Sequence, residues 1–282
     1  MGLEEVGEDV KDTRFKITVI ALLVILAGMW LMPVYAMLNI SIKTQEEVAD
    51  QDYLKLPKKL ALQNYVIAFR ALGVGLRNSA VITLPATFLC VFLGSMAGYF
   101  LTMFEFKPSQ TIFFLIVVAS FLPYQIVLIP ITQFLSTLNL LNTYVGLILI
   151  YVILNLPMGT LITATFFMKM PLALQEAAAL DGVKPFAFYR KILVPVSIPG
   201  LVSAAILVFV QIYNEFLLAI ALTRGPKIKP VMPILAELKG SQIAQWHIQM
   251  AGAIIVSMFP LIIFIFLSEY FISGLMAGYS KE

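Results

Sequence analysis

Apolar and polar positions fall in long blocks along this chain instead of alternating residue by residue. The apolar runs are near 20 residues, the length a helix needs to cross a bilayer core of about 30 Å. They predict six spans, at about 17–38, 78–104, 109–132, 143–168, 200–222 and 247–272. Strands of a membrane barrel alternate over about 10 residues and give a weaker signal. The expected fold is therefore an all-α membrane protein with six transmembrane helices. Residues 1–16 are polar and rich in acid (Glu4, Glu5, Glu8, Asp9, Asp12). A cleaved leader wants a basic start and a shorter apolar core, so the first span reads as a retained anchor. The polar stretch 39–77 contains an apolar piece, Leu60 to Leu72, read as a short interfacial helix. In the second span Gly94 and Gly98 form a small-residue pair that lets a neighbouring helix pack closely.

One polar insert, residues 171–199, still has the pattern of ordered structure. Pro171 suits a first helical turn, and Leu172 to Asp181 is rich in good helix formers. Gly182 is placed to end that helix in a left-handed conformation. Pro185 starts a second piece that Pro195 closes. The expected form is two short helices with a sharp corner. Leu174, Ala177, Ala178 and Asp181 share one face at spacings of three and four. That face is small and flanked by Glu176 and Asp181, as suits close approach by another protein; the alternative is a surface hairpin with no partner.

Glu176-Ala177-Ala178, Asp181-Gly182, Ile192-Leu193-Val194-Pro195 and Pro199 together resemble the EAA loop of ABC importer permeases. The stretch Leu138 to Leu147 is similar to the sugar-uptake branch of that family. Tyr213-Asn214-Glu215-Phe216 resembles its Trp-Asn-Glu-Phe pattern, with Tyr for Trp. Ser268 to Gly278 resembles its usual ending Gly-Leu-Thr-Ala-Gly, with Met276 in place of Thr. The resemblance implies one transmembrane domain over 17–282, a cytoplasmic segment 1–16, and a cytoplasmic coupling-helix loop between spans four and five. It implies that Glu176, Ala177, Ala178, Asp181 and Gly182 form the contact with an ATPase. It further implies a second permease subunit (hetero- or homodimer), two ATPase subunits, an extracytoplasmic solute-binding protein and a carbohydrate substrate. The tail Gly274, Leu275, Met276, Ala277 and Gly278 would touch the ATPase pair; the alternative is a frayed end of span six.

Composition agrees with a membrane protein. Of 282 residues 60% are hydrophobic and 12% charged, about half the charged share of a soluble domain. The mean hydropathy is +0.93. A net charge of +3 gives no sign of a nucleic-acid partner. One cysteine and one histidine, Cys90 and His247, leave no internal disulfide and no obvious metal ligands. No glycine is followed by lysine, so the phosphate-cradling G-x-x-x-x-G-K-[ST] loop is missing. The chain is not expected to be an enzyme or to bind a cofactor; ATP and Mg would sit on a partner. Charge does not set the orientation. With the N-terminus inside, nine Lys/Arg lie inside and ten outside, so the positive-inside rule is silent. Both termini are placed in the cytoplasm by the resemblance alone, in a cell (inner or plasma) membrane.

Glu215 is the charge to weigh inside the membrane. A carboxylate there is costly and belongs on the bundle interior or a wet cavity. It reads either as lining or gate of the pathway, or as a hydrogen-bond partner to a neighbouring helix. Gln211, Tyr213, Asn214 and Asn155 are candidates for the same lining. The loop Thr223 to Trp246 resembles one that reaches toward the binding protein, or it is a plain connector. The expected function is the permease subunit of a sugar importer. The rivals are the same machinery for a polyamine or phosphate, and an ion-coupled secondary transporter.

Overall fold

The computed structural model describes the backbone of residues 2–104, 106–240 and 244–276, and the side chains of residues 15–104, 106–240 and 244–270. The described residues are all helix, turn and loop. In chain order they form α1 (Gly2–Ser41), α2 (Gln45–Ala49), α3 (Gln63–Met103), α4 (Ser109–Ser120), a 3₁₀ turn (Tyr124–Val127), α5 (Leu128–Thr137) and α6 (Tyr144–Phe167). Next come α7 (Leu172–Leu180), α8 (Pro185–Phe188), a π turn (Tyr189–Leu193), α9 (Val194–Val196), α10 (Ile198–Tyr213), α11 (Leu217–Leu222), α12 (Val231–Glu237) and α13 (Trp246–Met276). Among the described residues, four helices are long and apolar enough to cross a membrane alone, or up to six if each sharply bent pair counts as one span.

Three helices differ from the block pattern. Span two does not begin near residue 78: α3 starts at Gln63 and runs for 41 residues. At 1.5 Å per residue that is about 62 Å, twice a bilayer core. Leu60 to Leu72 is therefore no separate interfacial helix; from Gln63 it is the first part of α3. Span three is not one helix. α4 stops at Ser120, Pro123 is extended, and the chain resumes with an 87° bend. Proline removes an N–H and pushes the residue before it out of the helical region. Span five likewise breaks after Tyr213 and resumes as the short α11.

Contacts sort the chain into two compact units, Met1–Arg70 with Leu238–Ile255, and Ala71–Glu237 with Val256–Glu282. In the first, polar side chains tie the loop after α1. Asn39 donates to the carbonyls of Tyr53 and Lys55, both at 2.7 Å. Asn64 donates to those of Ser41 and Lys43 at 2.9 and 2.8 Å. Thr44 and Glu47 cap α2 reciprocally, and Glu47 also accepts the Lys58 N–H at 2.6 Å. Those backbone N–H groups, Thr44's first, hold the Glu47 carboxyl below its ordinary range.

The second unit is built on α6. Its buried core joins Ile82, Ala86 and Cys90 of α3 to Leu147, Ile150 and Tyr151 of α6, and to Val208 and Ile212 of α10. α3 and α6 touch backbone to backbone. A Cβ added at Gly94 would lie 2.8 Å from Gly159 C and Thr160 N, and one at Gly98 would lie 3.1 Å from Ala164 N. Gly94→Ala must therefore push two helices apart, at a cost of about 1–3 kcal/mol. A clear fall in the thermal midpoint of the purified protein is expected, and an unchanged midpoint would contradict the close packing.

Candidate functional site

The α4–α5 corner, the middle of α6 and the α10–α11 break enclose a cavity of about 730 Å³. Glu215 sits in that break, not within a helix as the block pattern implies. Its carboxylate gathers four donors. The Tyr124 hydroxyl from the corner reaches Oε1 at 3.0 Å, and the Tyr151 hydroxyl from α6 reaches Oε2 at 3.1 Å. The N–H groups of Leu218 and Ala219 bond Oε1 and Oε2 at 2.8 and 3.0 Å. Glu215 thus caps α11, whose first N–H groups have no partner within the helix. Glu215 lines the cavity and clasps three elements.

Gln211, Asn214 and Asn155 line the same cavity. Asn155 donates to the Tyr151 carbonyl at 2.8 Å, one turn back, while its Oδ1 is buried without a partner. Tyr213 does not line it. Its side chain is buried, its hydroxyl donates to the Val256 carbonyl at 3.0 Å, and its ring packs on Phe209 and Phe259. Residue 213 lies on the face of α10 opposite the cavity's needs, which its neighbour in sequence, Asn214, does not reveal. Tyr124, which sequence reasoning missed, belongs to the site; Pro123 beside it was the available signal.

The insert after α6 forms the expected corner. α7 ends at Leu180 with Asp181 as its cap, Gly182 takes φ +71°, and Pro185 opens α8. Glu176, Ala177, Asp181 and Gly182 are exposed. Ala178 is not part of an outward face. It is buried in a cluster with Tyr99, Phe167, Phe188, Tyr189 and Leu193. Gln175, one turn earlier on the same side, donates to the Met103 carbonyl at 3.1 Å. The outward side instead carries Leu172, Glu176 and Leu180, and Leu180 is 89% exposed.

At the far end of α6, the start of the loop from Thr223 is held down. Asn78 donates to the carbonyls of Lys227 and Lys229 at 3.1 and 3.0 Å, and accepts from the Tyr144 hydroxyl at 2.7 Å. Ser79 accepts the Val231 N–H at 2.8 Å, and Asn142 accepts that of Arg224 at 2.8 Å. Of the tail, Gly274, Leu275 and Met276 continue α13 as helix; Ala277 and Gly278 lie outside the described residues. No group of three or more metal-ligating side chains occurs among the described residues.

Several helices long and apolar enough to cross a membrane, with a few polar side chains set in a largely apolar cavity, fit a multi-pass membrane protein. The family described as "binding-protein-dependent transport system inner membrane component" matches residues 90–276, and the chain belongs to it. It is 34% identical over 262 residues to the glucose import system permease protein of Saccharolobus solfataricus, covering 90% of this chain and 91% of that one. It is 33% identical over 252 residues to the sulfoquinovosyl glycerol transport system permease protein of Agrobacterium fabrum, covering 88% of each. The fold is similar to that of a bacterial ABC transporter involved in the import of the acidic polysaccharide alginate. That similarity has a TM-score of 0.76 at 19% identity, over 93% of this chain and 97% of that one.

Proposed function

We propose that the chain is the permease subunit of an ATP-driven, binding-protein-dependent carbohydrate importer. It forms half of the pathway, with a second permease subunit, the same or different, forming the other half. The cavity at Asn155, Gln211, Asn214 and Glu215 supports this reading: in a chain so similar to a glucose permease, it sets four polar side chains into otherwise largely apolar walls. The six spans form one domain, with both termini and the 171–199 loop in the cytoplasm. Two ATPase subunits bind ATP and Mg, and an extracytoplasmic binding protein delivers the solute. The loop joins the permease to the ATPase through Glu176, Ala177, Asp181 and the Gly182 corner, while Ala178 anchors it from within. Closing of the ATPase pair moves these corners as rigid bodies and reorients the spans.

The direct test is uptake of labelled glucose by proteoliposomes holding both permeases and the ATPases, with binding protein outside and ATP inside. Uptake is expected to need both ATP and binding protein and to survive collapse of ion gradients. Uptake that persists without ATP and stops with an ionophore would establish the secondary-transporter reading instead. Uptake of phosphate or a polyamine with no response to sugars would move the assignment to another solute.

A further inference from the structure

α3 is tied at two levels to segments that lie far from it in sequence. At the first, Asn78 donates to the carbonyls of Lys227 and Lys229, and Ser79 accepts the Val231 N–H. Both side chains are buried. Gly75, one turn earlier, leaves room for the chain to pass, since a Cβ there would lie 3.0 Å from Val231 Cα. At the second level Tyr99 donates to the Pro185 carbonyl at 3.0 Å, and Ser95 shares a hydrogen bond of 2.7 Å with the Tyr189 hydroxyl. The Tyr99 ring also packs on Phe188 and Tyr189. Gln175 adds its bond to the Met103 carbonyl. The 171–199 corner thus hangs on α3 as well as on α6, the helix it follows in the chain. Asn78 and Tyr99 are 21 residues apart in one continuous helix. At 1.5 Å per residue the separation is about 31 Å, the thickness of a bilayer core. The stretch between them is braced. Ile82, Ala86 and Cys90 are buried in the core shared with α6 and α10, and Gly94 and Gly98 set its backbone against that of α6. Pro85 removes one helix bond, yet the helix runs on through it.

We propose that α3 is a strut that holds the 171–199 corner and the 227–231 segment in fixed register, with Asn78 and Tyr99 as positioning residues at its two attachments. The inference rests on the transport reading, which puts the corner against the ATPase and residues 227–231 on the extracytoplasmic side. A shift of the corner then passes along α3 to the far segment, and a shift there passes back. The state of the ATPase pair inside and the affinity for the binding protein outside are linked through this one helix, and the linkage acts equally in both directions. The rival carrier is α6, which reaches the corner through the chain itself.

The test softens α3 between its attachments and leaves both in place. Leu84 and Phe88 are exposed, at 50% and 68%. Changing both to Gly is compared with changing both to Ala, which trims the same side chains but keeps a strong helix former. A second comparison, Gly against Ala at the exposed Leu89 and Phe92, stands in if the first pair misfolds. The assembled importer in nanodiscs is titrated with fluorescent cognate binding protein, with and without AMP-PNP and Mg. The ratio of the two dissociation constants is read, beside basal ATP hydrolysis and the thermal midpoint. The Gly pair is expected to bring that ratio about fivefold closer to one than the Ala pair does. A difference of about threefold or more supports the strut; a smaller one overturns it and leaves α6 as the carrier. Asn78→Ala and Tyr99→Phe are each expected to lower the ratio, and because they lie on one path the double variant is expected to lose no more than the worse single. Losses that multiply in the double variant overturn the proposal. If the unaltered importer shows a ratio of one and no ATP-driven uptake, the transport reading fails and the strut with it. If its ratio is normal and the Gly pairs leave it in place, the strut alone fails.

Discussion

Glu215→Ala is expected to cut ATP-driven uptake more than tenfold while the ATPase subunits still co-purify. The carboxylate holds four donors at 2.8–3.1 Å. Alanine leaves two hydroxyls and two N–H groups without it. Each buried group left unpaired costs about 1–3 kcal/mol, and water entering the cavity recovers only part. The α4–α5 corner then loses its bond through Tyr124, and α11 loses its cap. The proposed ATPase contact lies on another element, so association should survive. Tyr124→Phe and Tyr151→Phe separate the components. Each removes one hydrogen bond to a charged group, worth about 1.5–3 kcal/mol, and Tyr124→Phe frees the corner alone. Corner movement as the functional step predicts a larger uptake loss for Tyr124→Phe than for Tyr151→Phe at similar stability. Uptake by Glu215→Ala within twofold of the unaltered importer would sink the clasp.

How far this was legible in the sequence differs from one element to the next. Gly182 and Pro185 marked the corner because each residue restricts its own backbone, whatever surrounds it. Glu215 stood out because a carboxylate within an apolar run demands partners, but the sequence does not name them. Tyr124 and Tyr151 are 91 and 64 residues away. The early start of α3 was hidden by Arg70 and Arg77, which lower the hydropathy without harming helix propensity. A spacing signal was present: Ala68, Leu72, Gly75, Ser79, Ile82, Ala86 and Cys90 are buried at intervals of three and four. Ala178 was misplaced for a different reason. On a short Ala-rich helix both sides offer small residues, and only the aromatic cluster of Tyr99, Phe167 and Phe188 decides which side turns inward.

That inward turn changes what the exposed corner should do when altered. Glu176→Lys and Leu180→Asp are each expected to lower solute-stimulated ATP hydrolysis more than tenfold, with the permease's own thermal midpoint unchanged. Leu172, Glu176 and Leu180 recur every four residues along one side of α7, so they present a single stripe. Leu172 is 65% and Leu180 89% exposed, on a segment that the proposed topology places in the cytoplasm. Burying one such leucine at a partner yields about 1.5–3 kcal/mol, and a carboxylate there forfeits it. At the proposed ATPase contact, reversing the charge of Glu176 would turn attraction for a basic partner residue into repulsion. Neither side chain packs into its own fold, so removal should not unfold the permease. Ala178→Leu is the control from the other side of the same helix. It overfills the aromatic cluster at a cost of about 1–3 kcal/mol, so it should lower the midpoint and impair coupling only through that loss. Normal stimulated hydrolysis in both Glu176→Lys and Leu180→Asp would remove α7 as the port through which ATP drives the pathway.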